Sequence, residues 1–220
     1  MNPVNSRHAP PKAAAMLEAL RGLGYTTATA LADIIDNSVA AHADKVDILF
    51  SWAGLSSTIA VIDNGAGMDE RELDLAMRLG QKNPLEERSA QDLGRFGLGL
   101  KTASFSQCRR LTVASRKKGE IRCLRWDLDV LAASADDGWH LLEGAAPGSE
   151  PHLAALDDSQ GTLVLWERLD KIVTPGFNGQ DFLDLIDRVE QHPPRHSSPT
   201  KSTRSWRHGP NGGRGLTGNG

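Results

Sequence analysis

At 220 residues and 39% apolar content the chain can bury one well-packed core, and with aromatics at only 5% that core must be built from Leu, Ile, Val and Ala. No apolar run approaches the length needed to span a bilayer, and the opening MNPVNSRHAPPK lacks a basic-then-apolar leader, so a cytoplasmic protein is expected. The formal charge is −3, and two cysteines without CxxC spacing and seven scattered histidines indicate neither a disulfide framework nor a zinc site.

Pro11 to Leu23 has the spacing of a short amphipathic helix closed by Gly22 and Gly24. Thr27 to Ala43 follows as a longer helix in which Leu31, Ile35 and Val39 form one row with Ile34 beside it. Asp33 and Asn37, four apart, fall roughly on the opposite side, where they form either a solvated polar face or a face that serves a ligand. Asp44 to Trp52 alternates as a strand and Ser57 to Ile62 returns as a second, so the two read as a hairpin around Gly54. The second strand ends in Asp63-Asn64-Gly65-Ala66-Gly67-Met68, a carboxylate followed by paired glycines, which by itself is a turn.

Asp69 is placed to cap a helix running to Leu79, and Gly80 to Asp92 is polar, charged and too long for a simple connector. Next comes Gly94-Arg95-Phe96-Gly97-Leu98-Gly99-Leu100-Lys101-Thr102, which enters a helix-compatible stretch from Leu100 to Ser106. Glycines let backbone come close to a ligand, the first helical turn offers unpaired N–H groups, and Lys101 adds a charge suited to phosphate oxygens. The spacing matches neither a Walker A loop nor GxGxxG, which leaves a third kind of phosphate loop or a flexible turn.

Two strands, Arg109 to Lys117 and Glu120 to Asp127, surround Lys118-Gly119, and a weaker one is expected from Trp139 to Glu143. Gly144 to Ser159 reads as a loop, Gly161 to Trp166 as a late strand, and Phe182 to Gln191 as a last helix. Residues 193–220 hold five Lys+Arg and no Asp or Glu, leaving −8 on the preceding part. Rich in Pro, Ser and Gly, they read as a disordered basic tail, either a solvated segment or a nucleic-acid arm. The element order suggests an α/β two-layer sandwich, a mixed sheet covered by helices.

Four motifs occur in one order: Asp33-Ile34-Ile35-Asp36-Asn37; Asp63-x-Gly65-x-Gly67-Met68; Gly94-x-x-Gly97-x-Gly99-Leu100-Lys101; and Gly161-Thr162 before a β run. Together they closely resemble the GHKL superfamily of DNA gyrase B, the large heat-shock chaperone, sensor histidine kinases, MutL and the microrchidia ATPases. The resemblance spans about residues 26 to 170 and implies the Bergerat ATP-binding fold over residues 1–192. It assigns Asn37 to a magnesium ion that bridges the phosphates, and Asp63 to the adenine amino group. It gives Gly67 to close approach of the base, with Gly65 and Met68 in the same motif. Thr162 would support Asp63 through a water or hydroxyl contact, Gly94, Gly97, Gly99, Leu100 and Lys101 would hold the phosphates, and Gly80 to Asp92 would form a lid.

The hydrolytic members place Glu four residues before the Asn as general base, whereas this chain has Asp33, one methylene shorter. Gyrase-like members also use a following domain that sends a lysine to the γ-phosphate, and only the tail follows Gln191 here. The resemblance therefore implies either a slow ATPase module whose lid closure controls association with another domain or a second subunit, or a regulatory module that binds Mg-ATP and hydrolyses little. A histidine kinase is disfavoured because no helical phosphoacceptor histidine precedes the first motif.

Overall fold

The computed structural model describes Arg7 and residues 11–22, 24–80, 99–136, 138–156 and 160–191. The expected lid, the tail, Gly94 and Gly97 lie outside the described residues, apart from Gly80. Chain order gives α1 (Ala13–Leu20), α2 (Thr27–Ala40), β1 (Val46–Ser51), β2 (Thr58–Asp63), α3 (Glu70–Met77) and α4 (Gly99–Phe105). Then come β3 (Arg110–Lys117), β4 (Glu120–Asp127), α5 (Leu128–Ala133), β5 (Leu142–Glu143), β6 (Gly161–Glu167) and α6 (Gly179–Gln191).

The six strands form one sheet in the order β1-β2-β6-β3-β4-β5. The two-layer α/β arrangement is the expected one, but the sheet is not mixed: every described pairing is antiparallel. The reason lies in β6. Strands β2 and β3, joined through α3 and α4, run the same way, and β6 inserts between them antiparallel to both, so no parallel neighbours meet.

Helices cover one face of this sheet. There Ile48, Phe50, Ile59, Val61, Leu111, Val113, Val164 and Trp166 pack with Leu31 and Ile34 of α2, Leu73 and Met77 of α3, Phe105 of α4 and Phe182 of α6. The opposite face gathers Ala60, Ala114, Leu163 and Leu165 under Leu153 and Leu156. The stretch expected as a loop thus contributes a 3-10 turn, Glu150–Ala155, that covers the second face. Being covered on both sides, β6 is buried along its whole length. Cys108 is buried and Cys123 half-buried, both as free thiols, and burial pushes both thiol pKa values up.

Local chemistry fixes the helix starts near the site. Thr26 and Thr29 form a capping box on α2, and Asp69 does the same with Glu72 on α3, as its position predicts. In α2 the buried row is Leu31, Ile34 and Ser38, while Ile35 and Val39 are only half-buried. The helix is rotated from the expected row because Ser38 turns inward to donate to a carboxylate at the end of β2.

Candidate functional site

That carboxylate is Asp63, the last residue of β2, and it is 9% exposed. Its Oδ2 accepts the Ser38 hydroxyl at 2.8 Å, and its Oδ1 accepts the backbone N–H of Gly65 at 2.9 Å and of Thr162 at 3.2 Å. An ionised carboxylate offers about four lone-pair positions. Three are met from within the described residues, which leaves one acceptor position for a ligand. Burial pushes the Asp63 pKa above the ordinary carboxylate value, against the pull of the three donors.

The backbone around Asp63 is close enough to require glycine at two points. Gly161 has φ +153°, and a β-carbon there would sit 2.0 Å from the Asp63 carbonyl oxygen. Gly67 has φ +64°, and a β-carbon would lie 2.1 Å from the carbonyl oxygen of Arg116. So Gly67 draws the turn after β2 against β3. Thr162 meets Asp63 directly through its backbone N–H. The hydroxyl instead pairs with Ser115 at 2.9 Å, and Ser115 Oγ accepts the Met68 N–H at 2.7 Å.

Asp63 opens onto a cavity of about 590 Å³, a size typical of small-molecule sites. Its apolar walls come from Ile34, Met68, Leu75, Val113 and Val164. The cavity brings together eight of the residues singled out from sequence: Asn37, Asp63, Gly67, Met68, Gly99, Leu100, Lys101 and Thr162. Gly65 stands behind it, where a β-carbon would press to 2.8 Å on the Ala41 carbonyl. Asn37 is exposed on α2 and turned to the cavity. Lys101 is 2% exposed and its ammonium donates to the Ala76 carbonyl at 2.7 Å, near the C-terminal end of α3.

Asp33 is not among the described lining residues. It lies one turn before Asn37, accepts the Tyr25 hydroxyl at 3.0 Å, and has its Oδ2 3.9 Å from where a Gly99 β-carbon would be. Asp33 therefore lies beside Gly99, the lining residue at which α4 begins. Two contributors were missed from sequence. Ser38 was detectable as the polar member of an otherwise buried helical row, and Ser115 as a hydroxyl in the apolar run of β3.

Residues 25–162 match the family model described as histidine kinase-, DNA gyrase B-, and HSP90-like ATPase, which is more than half of the chain. The chain belongs to this ATPase family. It is 33% identical over 139 residues to the DNA mismatch repair protein MutL of Rhodospirillum rubrum, covering 62% of this chain and 19% of that protein. The MutL of Allorhizobium ampelinum is 34% identical over 91 residues, or 41% of this chain and 14% of its own. The MutL of Rickettsia akari is 28% identical over 93 residues, or 42% and 15%. The chain thus spans under a fifth of the length of these relatives. Family membership makes it an ATP-binding module of the GHKL type, and of the residues that line the Asp63 cavity all but Val164 lie inside the matched segment.

Proposed function

We propose that this chain binds Mg-ATP with its adenine on Asp63, turns it over slowly, and uses closure over the nucleotide to control association with another domain or a second subunit. One observation carries the reading: a buried carboxylate at the rim of an apolar cavity, with three fixed internal donors and one acceptor position left. The adenine exocyclic amino group is a donor that fits that position. Guanine carries a carbonyl oxygen there and would face a repelling lone pair. Ile34, Met68, Val113 and Val164 supply flat apolar contact for a base.

Toward the α4 end, Gly99, Leu100 and Lys101 are the residues for the phosphates, with Gly94 and Gly97 preceding them in sequence. Asn37 is the residue for magnesium. Among the described residues no group of three or more His, Cys, Asp or Glu could cage a metal. A single neutral amide fits an ion that keeps several waters and takes its other ligands from phosphates. Magnesium supplies charge neutralisation on the phosphate oxygens when bound. Lys101, held on the Ala76 carbonyl, would exchange that partner for phosphate.

Asp33 is the residue for holding and deprotonating the attacking water. Its shorter side chain supports slow turnover, since a misplacement of about 1 Å can cost roughly 10²-fold. The MutL relatives match over a minor part of their length, so they support the nucleotide module and not a role in mismatch repair. No helix among the described residues is long and apolar enough to cross a membrane. Titrating ATP into the purified chain with and without magnesium, while assaying phosphate release, tests the reading. It requires binding that magnesium strengthens and slow release, and an absence of ATP binding rejects it.

A further inference from the structure

We propose that Tyr25 is a positioning residue that holds the Asp33 carboxylate beside Gly99, where α4 begins, in place of the reach that the missing methylene would have given. The proposal rests on Asp33 being the base for turnover. Its own ground is a chain of contacts that does not involve a nucleotide.

Tyr25 precedes α2, and its hydroxyl reaches forward to donate to Asp33 Oδ2 at 3.0 Å. The phenol oxygen in turn faces the Thr102 hydroxyl of α4, so the ring bridges the two helices. The backbone of Tyr25 is fixed independently. Its carbonyl accepts Gln107 Nε2 at 3.3 Å, and Gln107 Oε1 accepts the Thr27 hydroxyl at 2.7 Å. Gln107 is 3% exposed and also donates to Ser106 at 2.9 Å, so this anchor is itself locked. A rigid ring with two anchors is better suited than a flexible chain to fix a short carboxylate. Burial, and then the Asp33 carboxylate, raise the Tyr25 pKa, which is what a phenol donating to a charged acceptor undergoes.

Tyr25 is the single tyrosine of the chain, which gives a direct readout. Protein labelled with 13C at tyrosine Cζ yields one resonance whose position reports the hydroxyl's hydrogen bond. That resonance should move in Asp33→Asn, with circular dichroism unchanged. In the turnover assay, Tyr25→Phe should lower kcat about tenfold with KM within about twofold of the parent. In the Asp33→Glu background, which keeps a measurable rate, the same change should have less than about a twofold effect, because the longer carboxylate supplies the reach itself. An unmoved resonance overturns the proposal, and so does a Tyr25→Phe defect of equal size in both backgrounds. If the unmodified chain releases no phosphate, the turnover reading fails, and the resonance still decides whether Tyr25 holds Asp33.

Discussion

Replacing Ser38 by alanine removes one of the three donors to Asp63, and its cost can be worked out from the structure. Ser38 is 3% exposed and Asp63 9%, so the lost 2.8 Å bond is a largely buried one. A hydrogen bond to a charged group contributes about 1.5–3 kcal/mol, and one to a neutral group about 0.5–1.5 kcal/mol. The loss should therefore be near the upper range where Asp63 is ionised and near the lower where it is protonated.

The sign of the pH dependence follows from Asp63 itself. Its pKa is raised in the folded state, chiefly by burial, so between the unfolded value and the raised one the folded protein holds more protons. The contribution of Asp63 to stability is fully present below the unfolded value and is lost as pH rises through the folded one. Ser38 works against the raising, so Ser38→Ala moves the folded value further up and extends this loss to higher pH. Denaturant melts at about pH 4 and pH 7.5 should show the variant about 1 kcal/mol worse, relative to the parent, at the higher pH. Equal and small losses at both pH values would refute the reasoning.

Gly67→Ala and Gly161→Ala each drive a β-carbon to about 2 Å from a backbone carbonyl oxygen, so each should destabilise by at least about 2 kcal/mol in the same melts. Asn37→Ala, at an exposed position, should leave the melt unchanged yet weaken Mg-ATP more than metal-free ATP in calorimetric titrations. Asp33→Asn should abolish phosphate release without weakening ATP, and Asp33→Glu should preserve or raise release; rapid release that survives Asp33→Asn would assign the base elsewhere.

Local patterns were legible in the sequence. The β1–β2 hairpin with Ser51 opposite Thr58, the Asp69 cap and the β3–β4 pair around Lys118-Gly119 all depend on neighbours a few residues apart. The position of β6 depends on pairing Thr162 with Asp63 and Ser115, partners 99 and 47 residues away, and no local signal carries that. The mixed sheet was expected because the late strand Gly161 to Trp166 was legible while its insertion between β2 and β3 was not. The helix α5 was missed although Asp127 caps it by accepting from Asp129 and Val130 N–H groups. At the site, Asp63 stood out as a strand-end carboxylate before two glycines, but its donors Ser38 and Thr162 converge only through helix rotation and sheet register.

The central claim is that Asp63 reads the adenine amino group, and competition between ATP and GTP for the purified chain tests it most directly. Sites built around a polar contact reject ligands that leave it unmet by large factors, so ATP should bind at least about 100-fold more tightly than GTP. In Asp63→Asn the backbone donors at Gly65 and Thr162 hold the amide oxygen, turning the amide NH2 toward Ser38 and the base. A donor then faces a donor, and the preference for ATP should collapse. Equal affinity of the unmodified chain for ATP and GTP would contradict the account.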